Sequence, residues 1–206
     1  MYVRINTIYG EKGRTDAAID YIEGSDRAVV EAAAGNSGLA TFVDRDAGLI
    51  VAASYWDEPL HSSEAALTKV REGAAAVAGG DLATETYEVA AAVQPAATHP
   101  GAPVRVARVQ IELARIADAI GFVNDEVLPG LTSHSGLCSA QLLIDRSSGA
   151  GLVVTAWRDD AAAEAARAVL DQLRDRAADQ AGAKFLRVET YTMIRTSARL
   201  GAVQLG

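Results

Sequence analysis

Two rhythms of apolar and polar positions run along the chain, one of period two and one of period near 3.6. From Tyr2 to Tyr9 β-branched residues alternate with polar ones, and Gly10-Glu11-Lys12-Gly13 closes the run, which predicts a strand. Thr15 to Ala34, rich in Ala, Ile, Val and Glu, predicts a helix broken at Gly24-Ser25-Asp26, where Ser25 or Asp26 is placed to cap a second helical piece. Leu39 to Val43 and Leu49 to Trp56 are apolar runs joined by Asp44-Arg45-Asp46-Ala47-Gly48, which reads as a hairpin. Ser62 to Ala78 is helical again, with Ser63 as a cap and Gly79-Gly80 as its stop, and Ala83 to Val93 is a last strand. The predicted order is βαββαβ.

The same order then returns. Val104 to Ile111 reads as a strand, Ala114 to Leu131 as a helix passing Pro129 near its end, Cys138 to Ile144 and Gly151 to Trp157 as a second hairpin, Asp159 to Gln180 as a helix, and Lys184 to Ile194 as a strand. In the helix Ala162, Ala166, Val169 and Leu173 form one apolar stripe. The turn Asp44-Arg45 and the closing Trp56 have counterparts in Asp145-Arg146 and Trp157 at a common offset of 101 residues, and Val3-Arg4-Ile5 matches Val104-Arg105-Val106 at the same offset. Glu85-Thr86-Tyr87 matches Glu189-Thr190-Tyr191 at an offset of 104. A strand, a turn and an aromatic keeping step in this way predict a duplicated domain. The boundaries expected are 1–93 and 104–194, with a linker at 94–103 stiffened by three prolines and a C-terminal tail at 195–206.

A βαββαβ unit is the ferredoxin-like arrangement, an α+β fold with an antiparallel sheet and both helices on one face. Its other face is apolar here too: Ile8 and Val109 point opposite to Val3-Ile5 and Val104-Val106, so both faces need cover. The duplicate sheet is the nearest cover, and the two ferredoxin-like domains are expected to pack sheet to sheet as an intrachain α+β barrel.

Composition narrows the function classes. Half of the 206 residues are apolar and 22% charged, which suits a globular chain with a sizeable core. A net charge of −8 leaves no basic stripe for nucleic acid or for an anionic membrane surface. No apolar run is long enough to span a bilayer and no secretory leader opens the chain, so a cytoplasmic location is expected. The single cysteine, Cys138, rules out an internal disulfide and reads as a buried hydrophobe rather than a reactive thiol. His61, His99 and His134 lack metal-ligand spacing. Gly149-Ala150-Gly151 precedes a strand and so is no dinucleotide fingerprint.

The strand, the helix ending in Gly35-Asn36-Ser37-Gly38 or Ser135-Gly136, the Asp-Arg hairpin and the apolar strand ending in Trp resemble the antibiotic biosynthesis monooxygenase family, over roughly residues 2–93 and 104–194. Members of that family are usually single domains pairing into a dimeric α+β barrel, so this chain resembles a tandem fusion of two. The resemblance implies a small-molecule protein, either a cofactor-independent monooxygenase of aromatic or phenolic substrates or a non-catalytic ligand-binding or structural relative. It implies a monomer with an internal pseudo-dimer, or a weak homodimer.

The haem-degrading branch of the family uses an Asn on strand one, a Trp ending strand three and a helical His. Asn6 and Trp56 match the first two, whereas the His position falls on Ala65 or Ala66, and Ala107 replaces the Asn in the second copy. Haem is therefore not the expected cofactor, and none is expected. The resemblance makes Asn6 and Trp56 catalytic candidates, and Arg4, Trp56 and His61 substrate-binding ones. Asn6 reads as an amide donor to a phenolate or as a structural hydrogen bond. Trp56 reads as a stacking wall or as core, Arg4 as a fixed charge or a partner for carboxylates at the sheet rim, and His61 as a ligand contact or an exposed helix start. With Ala107 in place of Asn, the second copy is expected to hold a smaller or filled cavity.

Overall fold

A computed structural model describes residues 1–59 and 64–200. The strands of the described residues form one closed hydrogen-bonded order, in an α+β chain, as the alternation predicts. Two compact units divide it. The first comprises residues 1–86 and 192–199, the second residues 87–191 and, among the described residues, Leu200.

In the first unit β1 (Tyr2–Tyr9) lies antiparallel to β3 (Leu49–Trp56), with Tyr2 opposite Trp56 and Tyr9 opposite Leu49. On the other side of β3 lies β2 (Asn36–Asp44). It starts three residues before the predicted Leu39, because Asn36 builds a bulge: its amide donates to the Tyr55 carbonyl at 3.2 Å and accepts from Gly38 N–H at 2.9 Å. The turn after β2 is closed by the Asp44 carboxylate, which accepts from Ala47 N–H at 3.0 Å, and by Gly48 at φ +72°, as Gly149 at φ +74° closes the matching turn. The strand β4 (Asp81–Val93) gives residues 81–86 to this unit, and β8 (Ala183–Thr196) gives residues 192–196, which pair with β2 from Val43–Thr192 to Ala40–Thr196.

The predicted first helix is broken as expected: α1 (Thr15–Tyr21), a five-residue turn (Ile22–Asp26) kinked at Gly24 (φ −77°, ψ −124°), and α2 (Arg27–Glu31). Of the two expected caps, Asp26 has helical dihedrals (φ −69°, ψ −39°) and its side chain bonds no backbone N–H, and the Ser25 side chain lies outside the described residues. The helix α3 (Glu64–Ala78) stops at Gly79. Ala74, Ala75 and Ala78 of α3 pack with Ile19 and Ile22 on Ile8, Val43 and Ile50, which is the core on the helix side. The opposite face, Val3, Ile5, Val51, Ala53 and Tyr55, is buried as well, as its apolar sequence requires.

The second unit repeats the plan with β5 (Pro103–Ile111), α4 (Ile116–Phe122), a π turn (Val123–Val127), α5 (Leu128–Thr132), β6 (Leu137–Ile144) and β7 (Ala150–Trp157). The predicted last helix is split at the buried Ala166 into α6 (Asp160–Ala165), capped by Asp159 at 2.8 Å from Ala162 N–H, and α7 (Arg167–Ala181). Residues 183–191 of β8 and 87–93 of β4 belong here, the latter pairing with β6 from Glu88–Ile144 to Val93–Ala140. No helix among the described residues is long and apolar enough to cross a membrane.

Candidate functional site

Strand alternation sends Arg4, Asn6 and Ile8 to the helix side of the first unit, beside Ala52, Ser54 and Trp56, which stand opposite Asn6, Arg4 and Tyr2 on β3. The kinked turn and α3 form the other wall with Ile22, Asp26, Leu67, Val70 and Arg71, and the cavity, partly open to solvent, measures about 50 Å³. Three of the four residues picked out by sequence therefore share one cavity: Arg4, Asn6 and Trp56. The fourth, His61, lies outside the described residues.

Asn6 is half-buried, and its amide oxygen accepts from the Thr84 hydroxyl of β4 at 2.9 Å. That bond orients the amide so that its NH2 is the group available to a ligand. Trp56 is buried, and its indole N–H donates to the Ser54 hydroxyl at 2.9 Å, so the ring edge is fixed and the ring face is wall. Trp157 repeats the bond to Thr155 at 3.0 Å and is fully buried, which makes indole anchoring a property of both copies. Arg4 is only 9% exposed. It lines the cavity wall.

Sequence reasoning took Asp26 for a helix cap. The structure instead buries it to 8% exposure in the cavity wall, where Oδ2 has no hydrogen-bond partner among the described residues. Burial pushes its carboxyl above the ordinary range, because the charged form has lost water. Next to it Arg27 is buried and neutralised. Its Nε and Nη2 grip both oxygens of Glu23 at 2.8 and 2.9 Å, and Nη1 donates to Glu31 at 2.7 Å and to the Leu39 carbonyl at 3.0 Å.

The second unit holds a cavity at the matching place, lined by Arg105, Ala107, Val127, Thr155, Asp171 and Arg174 among mostly apolar side chains. At about 90 Å³ it is larger than the first, contrary to the expectation that it would be reduced. On β5 Ala107 places a methyl group in the lining where the first unit has the Asn6 amide. Among the described residues no three His, Cys, Asp or Glu side chains gather as a metal site. Cys138 is buried, and burial raises its thiol pKa.

No protein-family profile matches the chain. The uncharacterized Mycobacterium tuberculosis protein Rv2557 is 31% identical over 151 residues, which span 72% of this chain and 67% of that one. A crystal structure described as a putative monooxygenase from Lactobacillus acidophilus superposes with a TM-score of 0.70 at 11% identity, over 100% of this chain and 99% of that one. An anthrone oxidase-like protein superposes with a TM-score of 0.64 at 16% identity, over 99% and 96%. Likeness at these identities establishes a shared fold alone.

Proposed function

The chain belongs to the same family as Rv2557 of Mycobacterium tuberculosis, and within that family we propose that it is a cofactor-independent monooxygenase of a phenolic, anthrone-like substrate, working from the first unit. The observation that carries this reading is the meeting of an oriented amide donor (Asn6), a fixed cation (Arg4) and an indole wall (Trp56) in one apolar-walled cavity. Such a site binds the ring by stacking and holds the phenolate oxygen against Asn6 NH2, with Arg4 favouring the negative charge. The anthrone oxidase-like neighbour supports the choice of substrate class. Overall, a substrate CH2 and O2 become C=O and H2O.

Oxygen uptake with anthrone tests the reading. Asn6→Ala is expected to lower kcat/KM by about 10²–10³-fold, the usual cost of one oxyanion donor, whereas Arg105→Ala leaves it unchanged. No uptake by the wild-type protein, or equal rates in Asn6→Ala, overturns it. The larger and more apolar second cavity favours a second reading, a ligand-binding protein without chemistry. Anthrone binding without oxygen uptake, abolished by Ala107→Phe rather than by Asn6→Ala, would select it.

A further inference from the structure

Asp26 has no structural employment. Its Oδ2 meets no donor among the described residues, its side chain caps no helix, and it sits nine-tenths buried in a cavity wall. A carboxylate in that position costs free energy that packing does not demand. The second unit shows this directly, since the π turn there ends in Val127 at the same place in its own cavity. Both copies break the first helix over the matching five residues, in the first with a kink at Gly24 (φ −77°, ψ −124°), and there the last residue of the break faces the cavity.

We propose that Asp26 is the proton acceptor of the first cavity. The inference rests on the oxygenase reading above for its reaction, though not for its geometry. Oδ2 takes a proton from the substrate CH2 and the electron pair left behind spreads to the ring oxygen, where Asn6 NH2 holds it. O2 accepts that pair as the C–O bond forms. Asp26 then returns its proton to the distal peroxide oxygen, and loss of water, carrying the second hydrogen of the former CH2, leaves C=O. Burial raises the carboxyl and so makes it a better base than a solvated Asp. The charged groups around it are Arg4 on β1, Arg27 on α2 with its partner Glu23, and Arg71 on α3. Arg27 is committed to Glu23 and Glu31, and the Asp26 shift is due to burial.

Two measurements decide it. In oxygen uptake with anthrone, Asp26→Asn and Asp26→Val are expected to lose about 10²–10⁴-fold in kcat, and the residual rate to climb about tenfold per pH unit as hydroxide replaces the carboxylate. Val is tolerated at the matching position, so a folded variant is secured. 4-Nitrophenol reads the proton transfer without oxygen chemistry, at a pH below its own pKa. In the wild type the phenolate colour appears on binding with no proton released to buffer, as counted by calorimetry in two buffers. In Asp26→Asn the proton is released or the ligand stays colourless. Equal proton counts with phenolate colour in both proteins, a colourless ligand in the wild type, or unchanged kcat in both variants overturns the assignment. A wild-type protein that fails to oxidise anthrone but shows the proton transfer removes the oxygenase reading and keeps Asp26.

Discussion

Arg27→Ala removes a heavily bonded, buried side chain of the first unit. The Arg27 side chain is 3% exposed and spends its five N–H groups on Glu23, Glu31, the Leu39 carbonyl, the Thr41 hydroxyl at 3.2 Å and the Arg195 carbonyl at 3.4 Å. It therefore ties α2 to β2 and to the end of β8. Ser197 adds to the tie, donating to Glu31 at 2.6 Å and accepting from Leu39 N–H at 3.0 Å. Deleting one partner of a buried ion pair strands the others, at a cost of about 3–5 kcal/mol. At about 2–4 °C per kcal/mol for a chain of this size, Tm should fall by about 6–20 °C at pH 7. Differential scanning calorimetry reads it. The loss should shrink in acid: burial raises the Glu31 pKa, but hydrogen bonds from Ser197 and Arg27 outweigh it and hold the carboxyl below its usual 4.5. A lowered folded pKa contributes stability that is present above the unfolded value and lost as pH falls through the folded one. Glu23→Asn/Arg27→Leu/Glu31→Thr, which imports Asn124, Leu128 and Thr132 from the second copy, should recover more than half of the loss, since an apolar replacement leaves no charge buried alone. A loss below about 1 kcal/mol, or one that stays constant down to pH 3, refutes the reasoning.

The stability of Asp26 variants has the opposite pH sign. With a folded pKa raised by burial, the wild type loses stability as pH rises from the unfolded value through the folded one, so Asp26→Val should raise Tm at pH 7 and lose that advantage below pH ~4; a variant that melts lower at pH 7 contradicts the burial argument. Cys138, buried and with its thiol pushed up, should resist iodoacetamide at pH 8 in the native protein and react fully in 6 M guanidinium, and labelling at equal rates in both would contradict its placement.

The strands were legible as an alternating pattern or as short apolar runs, and two of the runs end on a marker the fold uses: Trp56 and Trp157 close β3 and β7 where the apolar runs stop. Asn6 was legible as a polar residue on the helix side of an apolar strand. Its partner Thr84 was not, being 78 residues away on a strand whose register only the fold sets. Asp26 was misread for a physical reason. Asp after Gly-Ser before a helical run is the ordinary mark of an N-cap, and the break itself is where the sequence placed it, at Gly24 (φ −77°, ψ −124°), but Asp26 two residues on already has helical dihedrals and so turns its side chain to the cavity instead of the helix end. Alignment of the two copies held the missing signal, for Asp26 stands where Val127 does and a carboxyl in an apolar register asks for a reason. The larger second cavity was missed because loss of Asn at position 107 was read as loss of a site, when it first of all subtracts volume.

The differences between the copies fall on the cavity more than on the frame. Trp56 and Trp157, Arg4 and Arg105, the paired breaks of the first helix and the glycine-closed hairpins are shared, and these set the sheet, the helix path and the position of the hollow. Where the copies part, the first has Asn6, Asp26 and Arg27, and the second has Ala107, Val127 and Leu128. The apolar set carries no desolvation cost, so it marks what the fold requires by itself. The polar set carries that cost three times over, and only Arg27 recovers it in full through its carboxylates and carbonyls. Asn6 recovers it in part through Thr84, and Asp26 does not recover it at Oδ2. Unrecovered polarity turned toward a cavity is what a ligand supplies, which is why the first hollow, though the smaller, is the one to which chemistry is assigned.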